Sequence, residues 1–354
     1  MMHAFYDPLR TYEENLVAGP FGLPDAVVDP PAGSPAAHAW GVPVHSAFGI
    51  PAGPLVNAAY CAAAFRHGFD VAVYKTVRTG PHPCHPFPNT LAVHVKGDLD
   101  PSTARRPVLA DERLAGATSI SNSFGVPSRD PDVWQPDMAA AVAAAGEGQL
   151  LVGSFQGTRH GGDAQALVAD HATAARLVAE TGARAMELNL SCPNEGTGDL
   201  LCFDTPGVVR VVEAVKGEIG DVPLVLKLAY FASDDALASL VGATRDLVHG
   251  YAAINTLPAR LVDERGRQAL PGEGRDTAGV CGRAIRWAGL DMVARLSRLR
   301  EAGDWFEVVG VGGVLTLADV VAYRGVGADV VMSATGAMLD PRLGTAVRES
   351  GATA

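Results

Sequence analysis

The chain lacks any pair of cysteines at metal-ligand or redox spacing. Its five cysteines, Cys61, Cys84, Cys192, Cys202 and Cys281, are odd in number and widely scattered. Neither a disulfide framework nor a zinc site is indicated. Also missing are an apolar run of ~18 residues and an N-terminal apolar stretch of signal-peptide length, so no membrane span and no secretory leader are expected. The expected compartment is the cytoplasm. Basic residues are in deficit: 28 Lys plus Arg stand against 39 Asp plus Glu, a formal charge of −11. A nucleic-acid partner would want the opposite balance. An anionic small molecule must then be attracted by individual lysines rather than by the field of the whole surface. No internal repeat and no low-complexity tail is visible.

What is present suits a large core. Apolar residues make up 48% and charged residues 19% of 354, a length that α/β barrels reach as one domain. Short apolar runs alternate with Ala/Leu/Val-rich helical stretches, the pattern of a parallel α/β fold. Strands are expected at 47–50, 71–76, 118–121, 150–154, 185–190, 224–228, 252–255, 307–311 and 330–333. That is one run too many for eight staves, and 118–121 is assigned outside the barrel. Helices are expected over 163–181, 205–219, 234–248 and 288–302, with a short one at 316–323. Gly182, Gly220 and Gly250 follow three of them, where a left-handed cap fits. Residues 1–44, punctuated by prolines, form an N-terminal arm with a short helix over 7–16; it reads as an interface or as a disordered leader. Residues 45–345 form the barrel and 346–354 a tail.

The chemistry gathers at strand ends. Met186-Glu187-Leu188-Asn189-Leu190-Ser191-Cys192-Pro193-Asn194 starts as an apolar strand and ends in small polar residues. Pro193 cannot donate to a ladder and holds its predecessor extended, so the strand stops there. Two carboxamides with a thiol between them thus leave a strand end, where barrel enzymes keep their active sites. The bland alternative is a polar loop with a chance cysteine. Phe48-Gly49-Ile50-Pro51-Ala52-Gly53-Pro54 is either a turn or a place where backbone approaches a flat ring. Lys75, closing the run Val71-Ala72-Val73-Tyr74, either snorkels or meets an anion. In Ser121-Asn122-Ser123-Phe124-Gly125-Val126-Pro127, successive amides around a glycine suit a carboxylate. Lys227 sits inside a second apolar strand, and Asn255-Thr256 follows a third. Val309-Gly310-Val311-Gly312-Gly313-Val314 precedes a short helix, and 328–336 supplies a second strand end, an arrangement that suits a phosphate dianion. His82-Pro83-Cys84-His85 fits no common ligand set, and prolines interrupt it, so no metal is expected.

Asn189-Leu190-Ser191-Cys192-Pro193-Asn194 and these further ordered segments resemble the dihydroorotate dehydrogenases, FMN enzymes of pyrimidine biosynthesis, from about residue 48 to 341. The resemblance implies a (β/α)8 TIM barrel with FMN at the C-terminal face of its strands. It makes Cys192 the catalytic base, taking a proton from ring C5 while C6 delivers hydride to flavin N5. Lys75 would touch both flavin and substrate carboxylate. Substrate contacts carried over are Lys75, Asn122, Ser123, Phe124, Gly125, Val126, Asn189, Asn194, Asn255 and Thr256. Cofactor contacts are Ala52, Gly53, Lys75, Thr76, Asn122, Asn189, Lys227, Gly282, Gly312, Gly313, Ala334 and Thr335. Lys227 would stand at the flavin N1–C2 edge, where a fixed cation stabilises the reduced form. Ala334 departs from the family's usual glycine, and the 78–117 segment diverges and is lengthened.

Cys rather than Ser at 192 points to the soluble class, expected as a homodimer. Relatives that reduce uracil depart from the 121–127 loop and carry His at the equivalent of Asn194, so a dihydroorotate-like acid is the expected substrate. The re-oxidant (fumarate, quinone, or NAD through a separate electron-transfer subunit) is left open. Two rival readings stand beside this one. The first is an FMN oxidoreductase of the same fold acting on another small cyclic or unsaturated acid in secondary metabolism. The second is a non-catalytic FMN-binding barrel, against which the presence together of Lys75, Cys192 and four asparagines speaks.

Overall fold

Eight short strands close into a parallel barrel: Phe48–Ile50 (β1), Val71–Val73 (β2), Leu150–Phe155 (β3), Ala185–Asn189 (β4), Leu224–Leu228 (β5), Gly250–Ala253 (β6), Glu307–Val311 (β7) and Val330–Met332 (β8). Each pairs with its neighbour in sequence, and β8 returns to β1 through Val331↔Phe48 and Met332↔Gly49. This computed structural model describes residues 3–25, 28, 34–101, 106–159, 161, 163–191, 200–301 and 305–353. Every residue of β3, β4, β5 and β7 is buried. A sheet covered on both faces therefore reads as continuous apolar runs rather than as alternation.

Parallel neighbours need crossovers, and helices supply them. Thr205–Ile219 shows how the sequence builds one. The Asp204 carboxylate accepts from the Gly207 amide at 3.1 Å, Pro206 lies in the first turn, and Gly220 at φ 57 ends the helix. Val208, Val211, Val212, Val215 and Ile219 form its buried stripe. Each such side chain contributes about 1.5–3 kcal/mol when fully removed from water.

The proline-rich arm is not confined to the surface. Ala37–Ala39 and Val42–Val44 pair as a hairpin around Trp40 (φ 50) and Gly41 (φ 76), the left-handed pair that a two-residue turn needs. The hairpin packs with Val71, Leu150, Ala185, Val225, Ala252 and Val330 at the N-terminal end of the barrel. There the Trp40 amide donates to Glu307 Oε1 at 2.7 Å. The first helix is Tyr12–Ala18 rather than 7–16, because Thr11 and Glu14 form a reciprocal capping box. Asp7 instead accepts from the Leu9 amide at 3.0 Å in a turn.

Other boundaries move for identifiable reasons. Gly250 is not a helix cap: it opens β6, where an added Cβ would stand 2.7 Å from the Glu307 carbonyl oxygen. The helix before it is Asp234–Thr244, shorter than expected. Ser119–Asn122 lies outside the barrel, as the strand count required. It belongs to a second closed sheet with Ala92–Val93, Val108–Asp111, Leu257–Val262 and Thr277–Gly282. Two excursions of the chain, after β2 and after β6, build this sheet beside the C-terminal strand ends. Among the described residues no helix is long and apolar enough to cross a membrane.

Candidate active site

The C-terminal ends of the barrel strands open into one cavity whose empty volume, counting its mouth, is about 1260 Å³. Ala52 and Gly53 reach it from β1, Lys75 and Thr76 from β2, Asn189 from β4 and Lys227 from β5. Asn255 and Thr256 follow β6, Gly312 and Gly313 follow β7, and Ala334 and Thr335 follow β8. The second sheet adds Asn122 and Gly282, and the adjoining loop adds Phe124, Gly125 and Val126. Residues scattered over the sequence thus share one wall. Cys192 and Asn194 lie outside the described residues.

Ser123 is the expected residue that the structure turns elsewhere. Its amide donates to the Asn89 carbonyl at 3.1 Å, its hydroxyl accepts from Arg275 Nε at 3.1 Å, and its carbonyl accepts from Arg275 Nη2 and Asn89 Nδ2, each at 3.0 Å. The next residues are held from outside. The His85 amide donates to the Phe124 carbonyl at 3.0 Å, and Arg78 Nε donates to the Val126 carbonyl at 3.1 Å. Gly125 (φ 79) and Val126 (φ 50) both adopt the left-handed region. Among the described residues the amides of Phe124, Gly125 and Val126 donate to nothing. A loop whose carbonyls are tied down and whose amides are spare suits an anion.

A buried polar chain crosses four consecutive staves. Ser154 Oγ donates to Glu187 Oε1 at 3.0 Å and lies 2.9 Å from Thr76 Oγ1. Because the carboxylate takes the Ser154 hydrogen, Thr76 is the donor to Ser154. Thr76 therefore presents a lone pair to any ligand. Glu187 in turn attracts Lys227, whose pKa burial pulls below that of a free lysine. Lys227 and Asn189 are register partners on β5 and β4. Asn189 Nδ2 donates to Gln156 Oε1 at 2.7 Å, while its Oδ1 accepts from the Ser191 amide at 3.3 Å and hydroxyl at 3.2 Å. One Nδ2 hydrogen of Asn189 remains for a ligand.

Two glycines shape the wall where the resemblance expects a flat ring and a phosphate. Gly53, at φ 147, has nothing within 4 Å of the place where a Cβ would stand, so it leaves space that any side chain would fill. At Gly313 (φ 66) a Cβ would come 2.8 Å from the Arg286 backbone nitrogen, which makes glycine necessary in that turn. Lys227 places a cation where negative charge can be received.

Sequence reasoning missed several wall residues: Tyr6, Tyr12, Thr90, Ile120, Cys281 and Met338. Cys281 had a signal, since it adjoins Gly282. Burial pushes its thiol up to about 11, against a hydrogen bond with Thr335, and its Sγ donates to the Ile120 carbonyl at 3.4 Å. The tyrosines had none, because they come from the arm.

A family model described as dihydroorotate dehydrogenase matches residues 117–348. Dihydroorotate dehydrogenase of Dictyostelium discoideum is 31% identical over 350 residues, 95% of this chain and 94% of that protein. The catalytic subunit of dihydroorotate dehydrogenase B (NAD(+)) from Solidesulfovibrio magneticus is 33% identical over 178 residues, 49% of this chain and 55% of that one. Among solved structures, DHODH from Eimeria tenella in complex with ferulenol superposes with a TM-score of 0.68 at 17% identity, covering 88% of this chain and 82% of the other. At that identity the likeness speaks for the fold alone.

Proposed function

The chain belongs to the dihydroorotate dehydrogenase family, and from that premise we propose that it oxidises dihydroorotate to orotate with FMN as its cofactor. One observation carries the reading: Lys75, Lys227 and the spare amides of residues 124–126 meet at a single cavity in a chain of formal charge −11. Anion-receiving groups are thus concentrated at one point of an otherwise acidic protein.

The ring acid enters with its carboxylate toward Lys75 and the 124–126 amides. Asn122, the spare Nδ2 hydrogen of Asn189, Asn194 and the Oδ1 of Asn255 meet the ring's amide edges, where donors and acceptors alternate. Bound FMN supplies the acceptor for the hydride that leaves C6. Cys192 takes the C5 proton as its thiolate, so C5 and C6 become doubly bonded. A free cysteine has a pKa near ~8.5, so the thiolate fraction limits the step at neutral pH. Residues 52–53, 312–313 and 334–335 would hold the cofactor, and Lys227 would offset negative charge beside it.

Steady-state turnover with dihydroorotate and with dihydrouracil tests the substrate half. The carboxylate-free compound is expected to turn over far more slowly. Equal rates would remove the carboxylate receptor from the reading.

A further inference from the structure

The Tyr6 hydroxyl is buried, lies on the cavity wall and has no hydrogen-bond partner among the described residues. Only 4% of the residue is exposed. An unpaired buried hydroxyl destabilises a protein, and phenylalanine would fill the same space without that penalty.

The backbone is held in place on both sides of Tyr6. On one side of Tyr6, the Ala4 amide donates to the Met338 carbonyl at 2.7 Å, and Phe5 exchanges backbone hydrogen bonds with Phe21 at 2.8 and 2.9 Å. On the other side, the Asp7 amide and carbonyl are both held by the Asn15 side chain, at 2.8 and 2.9 Å. Asn15 is itself fixed through its carbonyl by the Tyr60 hydroxyl at 2.7 Å. The Tyr6 ring then meets Phe124 edge to face, with centroids 5.5 Å apart. Phe124 begins the run of spare amides.

We propose that Tyr6 is a specificity-determining residue whose hydroxyl donates to the carboxylate of the ring acid, which makes the N-terminal arm part of the substrate site. This rests on the ring-acid reading above. A hydrogen bond from a neutral donor to an ionised carboxylate is among the stronger kinds. Burial raises the Tyr6 pKa, so the group remains a donor at every working pH. The unpaired hydroxyl is then a feature of the ligand-free state, satisfied when the carboxylate arrives.

The test is orotate titrated into the FMN-loaded protein, wild type and Tyr6→Phe, with FMN content and Tm of both measured in parallel. The variant is expected to bind orotate roughly tenfold to a hundredfold more weakly, with unchanged FMN content and an equal or higher ligand-free Tm. Equal orotate affinity in the two proteins would overturn the proposal and leave the ring-acid reading intact. Weaker binding accompanied by lost FMN and a lower Tm would also overturn it, because the hydroxyl would then be structural. A wild type that fails to bind orotate at all would sink the ring-acid reading, and this inference with it.

Discussion

Asn255 Nδ2 donates to both the carbonyl and the hydroxyl oxygen of Ser191, at 3.1 Å each. The exit of β6 is thereby tied to the residue that immediately precedes Cys192. Asn189 grips the same serine from the other side. These two asparagines therefore set the root of the segment that carries the proposed base, besides facing the ligand.

Asn255→Ala removes both bonds. The rate of flavin reduction at saturating dihydroorotate is expected to fall by roughly 10²-fold, the order that follows a misplacement of about 1 Å, while FMN stays bound. Stopped-flow reduction reads this directly. A saturated rate equal to wild type, with only weaker binding, would confine Asn255 to ring contact.

Lys227 and Glu187 are both buried, and the Glu187 charge favours the charged form of Lys227; removing one of two such buried charges is expected to cost more than removing both. Lys227→Met alone is expected to destabilise the protein, because it leaves the Glu187 carboxylate with Ser154 Oγ as its donor and without the cation beside it. Adding Glu187→Gln to the same chain should recover most of that loss. Urea unfolding of the two single variants and the double variant measures the coupling. Additive losses would mean that the two side chains do not sense each other.

Much of this arrangement was legible in the sequence. The eight staves were visible because each is a short apolar run, whereas the residues now on the cavity wall were picked out by their resemblance to one family's motifs, a lysine or carboxamide at the end of such a run being ambiguous by itself. Gly220 marked the end of one helix by its capping chemistry alone. The second sheet was not legible. Its pairing of Asn122 with Gly279 joins residues far apart in sequence, and Ala92–Val93 is too short to show a period. The hairpin around Trp40-Gly41 carried a turn signal, but the surrounding prolines masked it. Tyr6 and Tyr12 look like any arm residues until the arm docks, so their place at the cavity follows from tertiary contacts alone.

Glu307 supplies a prediction about pH. Burial, reinforced by Asp329, holds its carboxyl at about 7, against 4.5 for an ordinary glutamate. An acid whose folded-state pKa stands above its unfolded value binds its proton more tightly when folded. Its contribution is fully present below the unfolded value and is lost as pH rises through the folded one, by roughly 3 kcal/mol at most. Glu307→Gln keeps an acceptor for the Trp40 amide and removes the ionisation. Unfolding free energies between about pH 5 and about pH 8 should therefore fall less in the variant than in the wild type. An identical fall in both would show that Glu307 does not titrate in this window.

Cys192→Ser separates a base from a packed thiol. General-base catalysis contributes typically ~10²- to 10⁴-fold, so flavin reduction near neutral pH should slow by that order while FMN remains bound. The deficit should shrink as pH rises. A serine variant reduced at the wild-type rate across the pH range would take Cys192 out of the mechanism.

The claim that the cavity oxidises a ring acid through bound FMN meets its most direct test in an anaerobic titration of the flavin-loaded protein with dihydroorotate. The account predicts stoichiometric bleaching of the flavin absorbance, with orotate appearing in equal amount. A flavin that dithionite bleaches but an excess of dihydroorotate leaves oxidised would contradict it.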